Sequence, residues 1–279
     1  MKMKIIGTAL FVLLFTGIGY AQDFQGRATY KSKRQMNIQF DSTQVNSEMQ
    51  KQMMAMMKKQ FERTYILSFN KEASIYKQEE SLESPQPSAG GIQIIIAGSG
   101  EADILYKNTK EERYVNQNEM FGKSFLIKDK LEKLDWIMGS ETKNIGEYTC
   151  YKATMKREVE AHRIRINEED SDDDVELEME EITITAWYTP QIPVNNGPGN
   201  YYGLPGLILE VNDGSETVIC SKIVMNPKEK SEIKEPTKGK EVTQEEYDAV
   251  LEKKMEEMES HHENDRRGDG HSMSIRIGG

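Results

Sequence analysis

The sequence predicts an α+β domain in which one large, curved antiparallel β-sheet is covered by two amphipathic helices. Three observations carry this prediction. Many short strand-like runs are separated by turn residues, an apolar stripe at helical spacing lies near each end of the chain, and two Pro-Gly corners lie close to residue 200. A sheet must bury its apolar face against something, and the two helices are the available covers.

The strand-like runs combine β-branched and aromatic residues and stop at Gly, Pro, Asn, Asp or Ser. In chain order they cover residues 24–38, 64–70, 73–78, 102–115, 120–127, 134–139, 146–155, 156–167, 182–189, 207–211 and 217–224. Run 102–115 has the pattern of a hairpin, and Asn-Asp-Gly at 212–214 is a hairpin turn between the last two runs. Strands joined by such short turns predict an antiparallel sheet.

The two predicted helices carry apolar residues three or four positions apart. In residues 47–62 the stripe consists of Met49, Met53, Met56 or Met57, and Phe61. Residues 243–260 open with a capping box, in which the side chains of Thr243 and Glu246 each accept a hydrogen bond from the other residue's backbone N–H group. The stripe of this second helix consists of Tyr247, Val250, Leu251, Met255 and Met258.

The two Pro-Gly corners occupy residues 197–200 and 203–206. Pro205 fixes its own φ and Gly206 can adopt a positive φ, so residues 204–207 predict a type II turn that leads into strand 207–211. The aromatic and apolar residues around the corners predict either a ligand pocket or part of the core. These residues are Trp187, Tyr188, Tyr201, Tyr202 and Leu204.

The first 21 residues predict a secretory signal peptide. Lys2 and Lys4 precede an apolar run at 5–18, and Ala21 ends the small-residue site after which we expect cleavage. The apolar run is shorter than the ~20 residues that a membrane span needs. We therefore expect an exported chain, in the periplasm or outside the cell, with a single β-rich domain at 22–260 and a disordered tail at 261–279.

The charge of the chain excludes two classes of partner. The formal net charge is −11 over 279 residues. Nucleic-acid binders need a basic face to meet phosphates, and docking on an anionic membrane needs one too. After the N-terminal run no apolar stretch is long enough to span a bilayer, so we expect no integral membrane protein.

The two cysteines, Cys150 and Cys220, both lie in strand-like runs. In an oxidising compartment two thiols of one chain usually pair, so export predicts a disulfide between them. Two buried free thiols are the alternative, because a disulfide also requires the two Cα atoms to be close together.

An acidic stretch at residues 170–181 matches a calcium-binding loop at several positions. Its candidate oxygen ligands include Asp170, Asp172, Asp174 and Glu181. Val175 stands where such a loop needs a glycine for its sharp turn, so the alternative is a solvated, acidic hairpin tip.

The methionine stripe, with Met53 and Met57 at its centre, allows three interpretations. Thioethers bind the soft ion Cu(I), whereas methionines at helical spacing also form adaptable apolar binding faces or ordinary core. The histidines at 261, 262 and 271 lie in the predicted tail, where they could bind a transition metal only loosely.

Residues 203–208 read Gly-Leu-Pro-Gly-Leu-Ile, and the chain resembles the GLPGLI family of exported bacterial proteins. The stretches 121–127, 135–137, 145–153 and 186–189 are also similar, so the resemblance covers roughly residues 24–260. It implies export and a β-rich fold, and it transfers no catalytic residue because the family has no assigned activity. The predicted architecture is also similar, by analogy only, to periplasmic lipoprotein-carrier folds, which enclose an apolar cavity.

The sequence carries no common motif for nucleophilic, metalloprotease or phosphate chemistry. We therefore expect a non-enzymatic protein without a cofactor. The first hypothesis is a cell-envelope protein that binds or carries an apolar ligand or a lipid-modified partner. The alternatives are an interaction or scaffold partner of an outer-membrane receptor or transporter, and a metal-handling protein for copper or calcium.

Overall fold

A computed structural model describes residues 24–34, 62–79, 103–165 and 174–265. These residues form twelve β-strands and one α-helix. The strands are β1 Gly26–Arg34, β2 Glu62–Phe69, β3 Ala73–Gln78, β4 Ile104–Asn108, β5 Arg113–Met120, β6 Lys123–Lys130, β7 Ile137–Ile145, β8 Tyr148–Arg165, β9 Asp174–Thr189, β10 Leu207–Asn212, β11 Glu216–Met225 and β12 Lys240–Val242. The helix is α1 Gln244–Asp265.

All twelve strands belong to one sheet, in the order β12-β6-β5-β4-β3-β2-β1-β11-β10-β9-β8-β7. Neighbouring strands pair in the antiparallel sense except β12, which runs parallel to β6, so the sheet is mixed. Most neighbours are also consecutive in sequence, and short turns join several of these pairs, among them β2 with β3 and β10 with β11.

The predicted α+β class with two covering helices is wrong. The described residues form one large mixed sheet, and their single helix packs locally at β6. There the T-shaped ring pair of Phe125 and Tyr247 has centroids 5.5 Å apart. The connection between β9 and β10 also contributes to the core, with Ile192 and Val194 in one buried cluster and Leu204 in another. Residues 47–61 of the other predicted helix lie outside the described residues.

Helix α1 begins as its capping box predicts. The backbone N–H of Thr243 donates to Glu246 Oε2 at 2.9 Å, and the N–H of Glu246 donates to Thr243 Oγ1 at 3.2 Å. Two otherwise unpaired donors of the first turn are thus satisfied. Among the described residues no helix has the length and apolarity needed to cross a membrane.

Several strand boundaries differ from those predicted. The predicted strand 120–127 contains a turn at Phe121 and Gly122, both with positive φ, so β6 begins only at Lys123. Runs 146–155 and 156–167 form the single strand β8, which pairs with β9 from Tyr151 to Arg165. The turn at 212–214 is confirmed: it joins β10 to β11, with the N–H of Asp213 donating to the carbonyl of Glu216 at 3.2 Å.

Tyr30 links two strands that are not neighbours in the sheet. The phenol of this β1 residue donates a 2.7 Å hydrogen bond to the carbonyl oxygen of Ile208 on β10, although β11 lies between the two strands. Ile208 lies before Glu210, where the pairing of β10 with β11 begins. Tyr30 is completely buried.

The two faces of the sheet carry separate apolar clusters. Cys150 and Ala153 on β8 belong to different clusters, because side chains three positions apart in a strand point to opposite faces. The first cluster consists of Ala28, Tyr30, Leu67, Phe69, Cys150, Ile192, Val194, Leu207, Leu209 and Cys220. The second consists of Ala153, Met155, Ile184, Ala186, Tyr188, Leu204, Ile208 and Val211.

Candidate functional site

Residues 190–206, which we name the Pro-Gly loop, connect β9 to β10 and contain two tight turns. The N–H of Tyr201 donates to the carbonyl of Pro198 at 3.1 Å, and Gly199 has a φ of 52°. The N–H of Gly206 donates to the carbonyl of Leu204 at 2.8 Å, which closes a γ-turn centred on Pro205. The type II turn predicted there is therefore wrong.

Gly206 serves close packing, and its φ is not positive. A Cβ atom at this position would lie 2.2 Å from the carbonyl oxygen of Thr189, a backbone atom that cannot rotate away. The positive φ that was expected of Gly206 occurs at Gly203 instead, with a value of 91°. The motif at residues 203–208 thus needs a glycine at position 206 because two backbone segments lie close together there.

Lys107 on β4 holds the Pro-Gly loop in place. Its ammonium group donates hydrogen bonds to the carbonyl oxygens of Gly197 at 2.9 Å, Gly199 at 2.5 Å and Tyr201 at 3.2 Å. These three bonds use all three donors of a lysine side chain. The side chain therefore ties the sheet to the first turn of the loop.

A second polar contact supports the same loop. Ser74 on β3 is the cross-strand partner of Lys107, and its hydroxyl donates to Asn196 Oδ1 at 3.1 Å. Ser74, Lys107 and Asn196 are all buried. Because buried polar groups are costly unless they are paired, these contacts also specify the position of the loop.

The electrostatic state of Lys107 follows from its surroundings. Burial lowers the pKa of its ammonium group to about 7, whereas the three carbonyl oxygens act in the opposite direction because they accept hydrogen bonds from the charged form. Lys107 is 0% exposed, so no substrate reaches its amine and its role is structural. The sequence did not lead us to predict a role for this residue. The pattern that could have indicated its burial is that Lys107 lies two positions after Leu105, on the same face of the strand.

The structure brings part of the predicted aromatic group together. Tyr188, Tyr201 and Leu204 share one cluster with Trp136, whose ring centroid lies 6.3 Å from that of Tyr201. The indole N–H of Trp136 donates to the carbonyl of Tyr202 at 2.8 Å. Trp136 was not among the candidate site residues, although it lies in a stretch that carries the family resemblance.

Trp187 lies apart from that group, on the opposite face of the sheet. It packs against the first cluster, and the Lys143 ammonium lies 4.5 Å from its ring centroid. Trp187 and Tyr188 are consecutive in β9, so their side chains must point to opposite faces. The five predicted residues therefore do not line one pocket.

An open depression of about 600 Å³ lies beside the Pro-Gly loop. It is bordered by the turn after β2, the turn after β4, residues 193–195 and residues 205–206. Lys110 and Glu72 form a 2.6 Å ion pair at its rim. Since that pair is exposed and neutralises its own charges, it provides little binding energy for a charged ligand.

Most residues named in the methionine and metal predictions lie outside the described residues. Met53, Met57, Asp170 and Asp172 lie there, and so does the side chain of Asp174. The Glu181 carboxylate is described and accepts a 2.6 Å hydrogen bond from Lys156. Among the described residues no three His, Cys, Asp or Glu side chains are grouped so as to hold a metal ion.

Both cysteine thiols are free in this structure and buried in the same cluster. Cys150 lies on β8 and Cys220 on β11, and strands β9 and β10 lie between them. The predicted disulfide is not formed: the two thiols are not bonded to each other in this structure, although they share one cluster.

Exposed apolar side chains lie on β7 and β8, and we name Met138 and Tyr151, which both contact Tyr188, the β7 apolar patch. Ile137, next to Met138 in the strand, points to the opposite face. Ile137 is 65% exposed, Met138 63% and Tyr151 39%. The Tyr188 hydroxyl lies 3.7 Å from Met138 Sδ, and the Tyr151 and Tyr188 ring centroids are 6.1 Å apart. The patch therefore continues into the buried cluster below it.

Part of the chain is similar to a protein family whose function is unassigned. Residues 136–210, which include β7 to β9 and the Pro-Gly loop, match a family model described as "Protein of unknown function (Porph_ging)". No curated protein matches the chain. Two solved structures, titled "Structure of PNGF-II in C2 space group" and "Structure of PNGF-II in P21 space group", are each 15% identical, with TM-scores of 0.48 and 0.45. They cover 82% and 78% of this chain, but the chain spans only 32% of each of theirs, so they carry no argument about its function.

Proposed function

We propose that this protein is an exported, non-enzymatic component of the cell envelope that binds another envelope protein through the β7 apolar patch. The observation that carries the proposal is the exposure of Met138 at 63% and of Tyr151 at 39%, which both contact Tyr188 at the end of the described sheet. Contiguous exposed apolar side chains are typical of interaction sites.

The filled interior favours a surface partner over a ligand carried inside the sheet. Ile192, Val194 and Leu204 of the Pro-Gly loop are almost completely buried, and Lys107 anchors this loop to β4. Burial of one such aliphatic side chain stabilises a fold by about 1.5 to 3 kcal/mol. Opening this part of the interior for an apolar ligand would lose that contribution from several side chains.

Membership of the GLPGLI family is part of the proposal. Residues 203–208 carry the motif, and they lie inside the stretch 136–210 that matches a family of unknown function. Export is a second part, and it rests on the N-terminal sequence pattern. N-terminal sequencing of the secreted protein tests it, because cleavage after Ala21 leaves Gln22 as the first residue.

The binding proposal is tested by affinity capture from solubilised envelope fractions of the native cell. Wild-type protein is compared with Met138→Ser, and Phe121→Ser is the matched control because Phe121 is 51% exposed at the β5–β6 turn. We expect one defined partner to be captured by wild type and by the control, and to be lost with Met138→Ser. Equal capture by all three proteins would refute the patch as the binding site.

A lipid surface is the competing occupant of the patch. Flotation with vesicles of phosphatidylethanolamine and phosphatidylglycerol measures it directly. Met138-dependent flotation without any protein partner would replace the proposed function by lipid binding. We expect no flotation, because the net charge of −11 opposes binding to an anionic surface.

A further inference from the structure

Strand β7 ends the sheet, and its outer side has no partner strand among the described residues. The strand is nine residues long and pairs with β8 on its other side. An unpaired edge of this length presents a row of backbone N–H and C=O groups that can pair with another chain. The strand at the opposite end of the sheet, β12, has three residues and therefore presents fewer backbone groups to a partner.

Both faces of β7 are open as well as its edge. Residues 137–142 are exposed at six consecutive positions, although side chains of a strand alternate between faces. A strand that only completed a folded sheet would bury alternate residues. The exposure of both faces leaves room for the side chains of an added strand.

The charges on β7 are neutralised within the chain. The Glu141 carboxylate accepts a 2.9 Å hydrogen bond from Lys152, and the Lys143 ammonium donates to Glu210 at 2.7 Å. The edge therefore offers a partner no uncompensated charge. A charged partner strand would lose solvation without gaining an ion pair, so the edge favours an uncharged segment.

An irregularity divides the edge into two parts. The register with β8 shifts between Met138 and Thr142, whereas residues 142–145 pair regularly with residues 148–151. The first part carries the apolar side chains Ile137 and Met138, and the second part is the more regular backbone template. Bulges disrupt pairing locally, so a partner strand has continuous backbone contacts only along the second part.

We propose that the envelope partner binds by adding an extended, uncharged strand to the β7 edge, with its backbone paired along residues 142–145 and an apolar side chain placed against Met138 and Tyr151. This inference rests on the proposed function and specifies its mode of binding. Unpaired backbone groups favour a polypeptide over a lipid tail, because a lipid tail cannot form hydrogen bonds with them.

The test uses a short, soluble peptide that alternates threonine and valine, together with a copy that is N-methylated at alternate backbone nitrogens. Binding to the mature protein is measured by calorimetry, and the amides of β7 are followed by hydrogen exchange. We expect N-methylation and the Met138→Ser variant each to weaken binding by about tenfold. We also expect slower exchange at residues 142–145 in the complex, and weaker binding of a peptide with two glutamates or two lysines.

The alternatives give distinct results. Equal binding of the N-methylated peptide, or protection confined to other strands, would overturn strand addition. Protection of β7 that grows with protein concentration and coincides with a dimer in light scattering would identify a second copy as the occupant and overturn the partner assignment. Protection of β7 by vesicles alone would overturn it in favour of a lipid.

Failure of this inference is distinguishable from failure of the proposed function. If envelope capture depends on Met138 but the peptide neither binds nor protects β7, strand addition is refuted and the proposed function stands. If the peptide binds with β7 protected but wild-type protein captures no envelope partner, the edge accepts strands and the proposed function fails. If neither result is obtained, both are refuted.

Discussion

The ammonium group of Lys107 donates a 2.9 Å hydrogen bond to the carbonyl oxygen of Gly197, which lies 90 positions further along the chain. Two more carbonyls of the same loop, from Gly199 and Tyr201, accept the other donors. One buried side chain of β4 thus fixes the connection between β9 and β10. The Pro-Gly loop is held by the tertiary structure as well as by its own turns.

Replacement of Lys107 by methionine is expected to destabilise the protein by about 3 kcal/mol or more, because three carbonyl oxygens lose their donor. Urea unfolding followed by circular dichroism measures the change. Lys110→Met is the matched control, since its ammonium is exposed and pairs with Glu72, and it should leave the urea midpoint almost unchanged. Equal losses would show that the carbonyl contacts do not stabilise the loop.

Gly206→Ala is expected to destabilise the protein by about 2 kcal/mol or more, because the added methyl group overpacks the site. Its Cβ would lie 2.2 Å from the carbonyl oxygen of Thr189. Gly139→Ala is the control, because a Cβ there would lie 3.4 Å from the nearest atom, the carbonyl oxygen of Lys152. Thermal unfolding of both variants decides the matter, and an unchanged midpoint for Gly206→Ala would contradict the packing argument.

Tyr30→Phe removes the hydrogen bond that reaches from β1 to β10. The phenol is completely buried and donates to the Ile208 carbonyl at 2.7 Å, so its loss is expected to cost about 1 to 3 kcal/mol. Tyr151→Phe, at a residue 39% exposed, should change stability by less than about 0.5 kcal/mol. Denaturant unfolding compares the two, and a neutral Tyr30→Phe would contradict the role assigned to this contact.

The two thiols make stability depend on alkaline pH. Burial raises the pKa of Cys150 and of Cys220 from 9.0 to about 11. Between these values the unfolded chain releases thiol protons that the folded chain keeps, so stability is fully present below pH 9 and declines as pH rises towards about 11. Denaturant unfolding of the reduced protein across this range should show the decline.

The matched variant for that titration is Cys150→Ala with Cys220→Ala. Buried tyrosines, among them Tyr30 and Tyr76, have a raised pKa for the same reason and add a loss of the same sign above pH 10. The double variant should keep that tyrosine-dependent decline and lose the part between pH 9 and 10. An identical pH profile for both proteins would contradict burial of the thiols.

Ile137→Ser and Met138→Ser are expected to leave folding stability unchanged within about 0.5 kcal/mol, because both side chains are largely exposed. Thermal unfolding measures this. Leu207→Ser, at a completely buried position on β10, is the contrasting variant. Its folding stability should fall by roughly 3 kcal/mol or more. A large loss with Met138→Ser would show that the patch is structural.

Local patterns predicted much of the secondary structure. The Thr243 capping box placed the start of α1, and Asn-Asp-Gly placed the turn between β10 and β11, because both depend on contacts within a few residues. The type II turn at Pro205 failed for the complementary reason. A γ-turn forms there, with Gly206 pressed against Thr189 of a neighbouring segment, and sequence position alone does not encode that contact.

The candidate site was predicted only in part. Tyr188, Tyr201 and Leu204 share one cluster as their sequence context suggested, but Trp187 lies on the other face because strand residues alternate. Lys107 was missed, because a lysine in a strand is ordinarily solvated and only long-range contacts reveal its burial. The exposed edge at β7 was likewise invisible, since the order of strands in a sheet depends on pairing between distant segments.

By itself, the sequence determined roughly where most described strands lie, the turn at 212–214, how α1 is capped and that the chain is acidic, because these follow from neighbouring residues and composition. Only the tertiary structure decided that the described strands join one mixed sheet and that Lys107 anchors a distant loop. It also decided that two strands separate the cysteines. The physical reason is that strand pairing and burial join residues far apart in the chain, and local propensity carries no information about which of them meet.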